Sequence, residues 1–162
     1  MDFRIRAANE DDLPAMLSLW REMMDFHAER DRRFRPKPSP GGERAWAKYL
    51  REDIWMSENC CVLVAEADGR LVGQILGELR ELPPVFEPKV YGYVTDIIVH
   101  RKARRRGVGR ALFKRLGEWM RSRGAEHLQL QVMSKNDAAQ AFWRAMNLRD
   151  YLDLLWYELE VE

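Results

Sequence analysis

Val94-Thr95-Asp96-Ile97-Ile98-Val99-His100-Arg101-Lys102-Ala103-Arg104-Arg105-Arg106-Gly107-Val108-Gly109-Arg110-Ala111-Leu112 is the stretch whose reading decides the fold. Val94 to Val99 is a short apolar strand interrupted by Thr95 and Asp96. A strongly basic loop from Arg101 to Arg106 follows and closes on Gly107-Val108-Gly109. Val108, Ala111, Leu112, Leu116, Trp119 and Met120 then recur on one side at helical spacing. A helix N-terminus carries unpaired N–H groups and partial positive charge. Glycines there let a ligand approach the backbone, so strand, turn and helix start together suit a phosphate or diphosphate. The arginines add charge-assisted bonds to the same anion.

Three phosphate-binding patterns compete for these residues. A P-loop requires Gly, four residues and Gly-Lys-Ser/Thr, a string the chain lacks. The dinucleotide fingerprint Gly-x-Gly-x-x-Gly is incomplete, because Leu112 stands at the third glycine and a basic loop separates strand from turn. Arg104-Arg105-Arg106-Gly107-Val108-Gly109 instead resembles the Arg/Gln-x-x-Gly-x-Gly/Ala signature of GNAT-type N-acetyltransferases. A solvated basic loop capping an ordinary helix is the plain alternative.

The elements outward from this stretch alternate. Phe3 to Ala7 is a short strand. Asn9 to Asp12 caps a first helix whose inner face is Leu13, Met16, Leu17, Trp20, Met24 and His27. Arg30 to Gly42, rich in Arg, Pro and Gly, is a loop. A second helix is predicted over Glu43–Ser57, with Trp46, Tyr49, Leu50 and Ile54 as its apolar side. Asp68-Gly69 between Cys61–Ala67 and Arg70–Leu79 signals a hairpin. The proline-containing segment Leu82 to Lys89 leaves the sheet. Val90–Val99 is the next strand, Gly124 ends the third helix, and Leu128, Leu130 and Val132 alternate as a strand. Asn136 caps a fourth helix whose Ala139, Phe142, Trp143 and Met146 share a face. Tyr151 to Val161 closes the chain as one long strand or a bent pair.

This order resembles the GNAT fold: an α/β (α+β) mixed sheet of about six to seven strands flanked by four helices. A second string, Asn136-Asp137-Ala138-Ala139-Gln140-Ala141-Phe142-Trp143, is similar to the family's Asn-x-x-Ala-x-x-Phe/Leu-Tyr segment. Two motifs in the right order are far more specific than either alone.

Composition narrows the remaining choices. The chain has 162 residues, 27 Lys+Arg and 26 Asp+Glu, for a net charge of +1. That length suits one domain over residues 1–162, and the near-neutral balance argues against a general nucleic-acid binder. The Arg101–Arg110 patch has no interleaved aromatics, although it remains the feature on which a nucleic-acid or protein-binding module would rest. No apolar run has the length of a membrane span, and the first residues do not open a signal peptide. Cys60 and Cys61 are adjacent, so on a strand they point to opposite faces and make neither a disulfide nor a metal site. Free cysteines without an export signal point to the cytoplasm.

The resemblance implies acetyl transfer from acetyl-CoA, without a metal, to a primary amine of a small molecule or peptide. It implies a cofactor cleft between two splayed parallel strands, here Tyr93–Val99 and Leu128–Met133. Backbone groups of Ile97, Ile98 and Val99 are then expected to bind the pantetheine and polarise the thioester carbonyl. Arg104, Arg105, Arg106, Gly107, Val108, Gly109 and Arg110 are expected to hold the diphosphate. Asn136 would contact the cofactor arm, with Phe142 and Trp143 beside it. Asn136 is also an excellent helix cap.

An amine attacks only when uncharged, and a lysine-type amine has a pKa of about 10.4, so it calls for a base. Asp96, expected on one side of the strand with Val94 and Ile98, is the first candidate; a structural pair with a loop arginine is the competing account. Relatives often carry a glutamate one position earlier, where this chain has Thr95. Glu78, Glu81 and His27 are fallbacks. Relatives often place an acidic tyrosine where Trp143 stands, and indole N–H is not a usable acid, so Tyr151 is the substitute candidate, ahead of Tyr91 and Tyr93. A GNAT-like protein that binds the cofactor without transferring acetyl is the alternative these departures keep open. The resemblance also allows a homodimer, with Trp55, Trp156 or Tyr157 at its interface.

Overall fold

The computed structural model describes residues 1–87 and 89–159. These belong to two units, Met1–Gln131 and Val132–Glu162. The hairpin at Asp68-Gly69 organises the first unit. Asp68 (φ 49°) and Gly69 (φ 70°) both take left-handed backbone, the geometry of a two-residue turn whose twist suits its strands. β1 (Arg4–Ala7) pairs antiparallel with β2 (Cys60–Ala67), β2 with β3 (Arg70–Glu81), and β3 with β4 (Val90–Val99). β5 (Leu128–Leu130) runs parallel to β4, and the sheet order is β1-β2-β3-β4-β5.

One face of the sheet carries the first two helices. Asn9 accepts from the Asp11 N–H while the Asp12 carboxylate accepts from the Asn9 N–H, a reciprocal cap that starts the turn preceding α1 (Leu13–Ala28). Buried Asp12 also receives two bonds from Arg6, at 2.6 and 2.7 Å, and Arg6 reaches Glu66 at 3.0 Å. This cluster ties β1, β2 and the start of α1. Leu13, Met16, Leu19, Trp20 and Met23 form the buried stripe of α1, whereas the expected Leu17 and Met24 are only part-buried at its edge.

α2 (Gly41–Tyr49) passes into a π-helical turn at Leu50–Ile54, so the predicted Glu43–Ser57 helix starts earlier and ends in a wider coil. Trp46, Ala47, Leu50 and Ile54 face the core, and Trp46 stacks on Trp20 with centroids 5.6 Å apart. Tyr49, expected on the apolar side, is not part of this core and is 37% exposed. Val62, Val64, Leu76 and Ile98 complete this core from the sheet.

The opposite face is covered by α3 (Val108–Ser122), which buries Val108, Leu112, Leu116 and Met120. Gly77 makes the close approach feasible. A Cβ there would lie 2.7 Å from Leu116 Cδ2 and 2.8 Å from Met120 Cε. Gly124 (φ 90°) ends the helix as expected.

In the second unit, Asn136 caps α4 (Asp137–Ala145) by accepting from the Ala139 N–H at 3.1 Å. The strand expected over Tyr151–Val161 is not formed at residues 151–159; Val161 lies outside the described residues. A strand requires a partner ladder, and the side chains of this segment are exposed, Leu155 at 88%. The sheet therefore has five strands among the described residues, fewer than the six to seven expected. The Leu128–Val132 strand is also shorter, ending at Leu130.

Candidate active site

β4 carries one extra residue. Leu76 stands opposite Asp96 and Gly77 opposite Val94, which leaves Thr95 without a counterpart. A bulge of this kind re-aims every side chain beyond it. Asp96 therefore shares the α1/α2 face with Leu76 and Ile98, and Val94, opposite Gly77, faces α3. The expectation that Asp96 and Val94 share a side fails on this one residue. The Thr95 hydroxyl is buried without a hydrogen-bond partner among the described residues.

The bulge switches the main chain as well. Before it, the Gly92 N–H donates to the His127 carbonyl on the β5 side, at 2.9 Å. Beyond it, the His100 N–H donates to Val72 of the β3 side, at 2.9 Å. Alternation along the strand then turns Ile98 toward β3 and Ile97 and Val99 away from it. The β4–β5 ladder covers only Gly92–Val94 against Leu128–Leu130. From Thr95 to Val99, β4 has no strand partner on that side among the described residues, so Ile97 and the Val99 N–H face an edge without a ladder.

The basic loop continues from this edge. It starts as a 3₁₀ turn, Arg101–Ala103, anchored by buried Ala103. Arg105 (φ 63°) and Gly107 (φ 85°) both take left-handed backbone, and Val108 opens α3. Gly107 has no side chain, and the first N–H groups of α3 have no side-chain cap. Arg105, Arg106 and Arg110 are exposed and make no ion pair among the described residues. Arg104 differs: its Nε donates to the Val99 carbonyl at 3.0 Å, and its guanidinium meets Glu22 of α1 at 3.2 Å.

Asp96 is part-buried and has no loop arginine as partner, against the competing structural account. Desolvation alone pushes its pKa up to about 6. Tyr49 stands within electrostatic reach. Burial raises its phenol pKa, and the charges of Glu78, Cys60, Asp96 and Asp53 push it further the same way. Glu78 bonds Arg80 at 2.7 Å, and Arg80 stacks over the Tyr93 ring. His27 lies between Phe26 and Phe34, and burial lowers its pKa. Neither Tyr49 nor Glu22 is among the candidates read from sequence. Tyr49 sits in an apolar helical pattern, and Glu22 is 82 residues from its arginine partner.

The remaining candidates lie in the second unit. Asn136 is buried and occupied as the α4 cap. Phe142 meets Trp143 edge to face at 4.8 Å, and Trp143 is buried. Tyr151 is 77% exposed.

β4 runs into the basic turn and the start of α3, the strand–turn–helix order read from the first sequence motif. The family model for acetyltransferases (GNAT) matches residues 19–147. The chain belongs to the GNAT acetyltransferase family. A relative described as the uncharacterized N-acetyltransferase MJ1530 of Methanocaldococcus jannaschii is 31% identical over 98 residues; that match spans 60% of this chain and 58% of the relative's length. Among solved structures, a mutant BH1408 protein from Bacillus halodurans aligns with a TM-score of 0.82 at 21% identity, covering 97% of this chain and 99% of its own. Aminoglycoside 6'-N-acetyltransferase AAC(6')-IG from Acinetobacter haemolyticus gives 0.76 at 15% identity, with 98% and 99% covered. AAC(6')-Iy, solved with a CoA-S-monomethyl-acetylneamine bisubstrate analogue, gives 0.74 at 17% identity, with 99% and 100% covered. At these identities the solved structures establish the GNAT fold. They do not assign a substrate.

Proposed function

We propose that this chain is a single N-acetyltransferase domain that moves an acetyl group from acetyl-CoA to a primary amine of a small molecule or peptide. The observation that carries the reading is the unpaired edge of β4 past Thr95, in line with the uncapped start of α3. An extended pantetheine fits such an edge as an added strand, and a diphosphate fits a helix start flanked by arginines. The residues present therefore suit the cofactor.

Ile97 offers the pantetheine its outward main-chain groups and Val99 its N–H, the Val99 carbonyl being taken by Arg104, and an outward N–H in this segment polarises the thioester carbonyl. Ile98 supports them from the core. The amides of Arg105 to Gly109, with the Arg105, Arg106 and Arg110 side chains, hold the diphosphate. Asn136, Phe142 and Trp143 are assigned to the cofactor arm on the sequence resemblance. Bound acetyl-CoA supplies the acyl carbon and a thiol leaving group of pKa about 8.5, a fair leaving group without an acid.

Asp96 takes the amine proton. A carboxyl of pKa about 6 is ionised at neutral pH yet more basic than an ordinary aspartate. Tyr151 is our candidate for returning a proton to the sulfur. The aminoglycosides that name two of the structural neighbours are the first acceptors to try. We also propose a cytoplasmic homodimer. Support comes from unpaired Cys60 and Cys61 for the compartment, and from the exposed apolar side chains of Tyr151–Leu159 for the assembly. Light scattering on the full chain tests the latter; a monomer at all concentrations overturns it.

Isothermal titration with acetyl-CoA, followed by thiol release against aminoglycosides, small amines and peptides, tests the main reading. Binding heat plus amine-dependent thiol release supports it. Binding without release identifies the non-transferring alternative, and no heat overturns the cofactor assignment.

A further inference from the structure

Glu22 lies on α1 and has no place in the sequence motifs. Its Oε1 accepts from the Arg101 main-chain N–H at 3.1 Å and from the Arg104 guanidinium at 3.2 Å. His100 Nε2 is 3.8 Å from its Oε2. Arg104 in turn donates through Nε to the Val99 carbonyl, and its guanidinium carbon lies 5.9 Å from the Phe26 ring. The Arg104 side chain thus spans three segments: the last residue of β4, the outer face of α1 and the loop that carries it. Among the described residues, Arg105, Arg106 and Arg110 have no such ties.

We propose that Glu22 is a positioning residue for the anion loop, and that Arg104 acts as a strut between β4 and α1 and not as a diphosphate ligand. The proposal rests on the acetyl-CoA reading above. The pair fixes the two ends of Arg101–Arg104, and the left-handed backbone at Arg105 then delivers the following amides to the start of α3. Positioned donors bind an anion better than mobile ones, because the ordering entropy is lost before the ligand arrives. The carboxylate, offset by Arg104 and the Arg101 amide, is a structural charge beside a site for an anion.

Two accounts of Arg104 predict opposite signs. If Arg104 were itself a phosphate ligand, Glu22 would compete for it, and Glu22→Gln would leave acetyl-CoA affinity unchanged or tighten it. As a strut, Arg104 loses its anchor in Glu22→Gln, and the loop loosens. Both side chains are partly exposed, so the expected weakening is about three- to tenfold in Kd.

The experiment compares wild type, Glu22→Gln, Arg104→Gln and the double variant, all as full-length protein. Hydrogen exchange without ligand reads the latch directly. Amides of 101–109 are expected to exchange faster in each variant, with the sheet unchanged. Titration with acetyl-CoA is expected to show each single variant weakened, and the double variant no weaker than Arg104→Gln. KM for acetyl-CoA should rise by more than kcat falls, and in Glu22→Gln the affinity for acetyl-pantetheine, which lacks the diphosphate, should not change. Unchanged loop exchange, or tighter binding in Glu22→Gln, overturns the proposal. Faster loop exchange in the variants with no acetyl-CoA heat in wild type overturns the cofactor reading and leaves the latch standing.

Discussion

Val94 and Asp96 are two residues apart in β4 yet face opposite sides of the sheet, because Thr95 bulges between them. The consequence is chemical. The bulge sets Asp96 opposite Leu76, among apolar neighbours on the helix-covered face, where desolvation lifts its pKa to about 6. It also turns the main chain of Ile97 and Val99 outward. One irregular residue thus aims the candidate base and opens the candidate cofactor edge.

Asp96→Asn should trade activity for stability. The folded pKa of about 6 lies above the unfolded value of 3.8, so the native state binds this proton more tightly. Stability therefore falls as pH rises through that interval. At pH near 7.5 the asparagine variant should be more stable by about 1–3 kcal/mol, and below the interval the difference should vanish. Acetyl transfer should rise with pH to about 6 in wild type, and the variant should lose about 10²–10⁴ in kcat. Denaturation curves and pH–rate profiles check both; an unaltered profile removes Asp96 from the chemistry.

Gly107→Ala tests the turn. A Cβ at Gly107 would meet nothing within 4 Å, so any effect comes from backbone at φ 85° and not from collision. A left-handed conformation costs an L-residue about 1–2 kcal/mol. Chemical denaturation should show that loss, and titration should show weaker acetyl-CoA binding as the loop amides shift. Full affinity in a destabilised variant would separate the turn from the ligand.

Asn136 has two candidate roles that a pair of variants can separate. Its Oδ1 caps α4 through the Ala139 N–H. Asn136→Ala should cost about 1 kcal/mol of stability, and Asn136→Ser, which retains a capping oxygen, should recover most of it. If the serine variant also recovers acetyl-CoA affinity, the cap accounts for the residue. If affinity stays low while stability returns, the amide contacts the cofactor.

Asp12 should set part of the acid limit of the fold. Bonding to Arg6 holds its carboxyl below the ordinary aspartate value, against the opposing effect of burial. The contribution is present above the unfolded pKa and is lost as pH falls through the lower folded value. Arg6 is part-buried and keeps Glu66 as a second partner, so Asp12→Asn should cost about 1–3 kcal/mol at neutral pH. Melting temperatures from pH 7 down to 2 should converge between variant and wild type.

Local chemistry made the Asp68-Gly69 hairpin, the Asn136 cap, the Gly124 stop and the Arg104–Gly109 turn legible from sequence alone. Turn residues, caps and helical spacing act over a few neighbours, so residue identity is enough to decide them. That is also why two short motifs sufficed to point to the family. The tertiary structure decided what depends on cross-strand register and long-range packing. Nothing in Val94-Thr95-Asp96 announces a bulge; the extra residue exists only against Leu76 and Gly77 of β3. The partial cover of Tyr49 and its reach to Asp96 follow from how α2 packs, and Glu22 reaches Arg104 only because α1 lies beside the end of β4. The Tyr151–Leu159 segment, which forms no strand, gives the same result from the other direction: a strand-like pattern becomes a strand only in a hydrogen-bonded ladder.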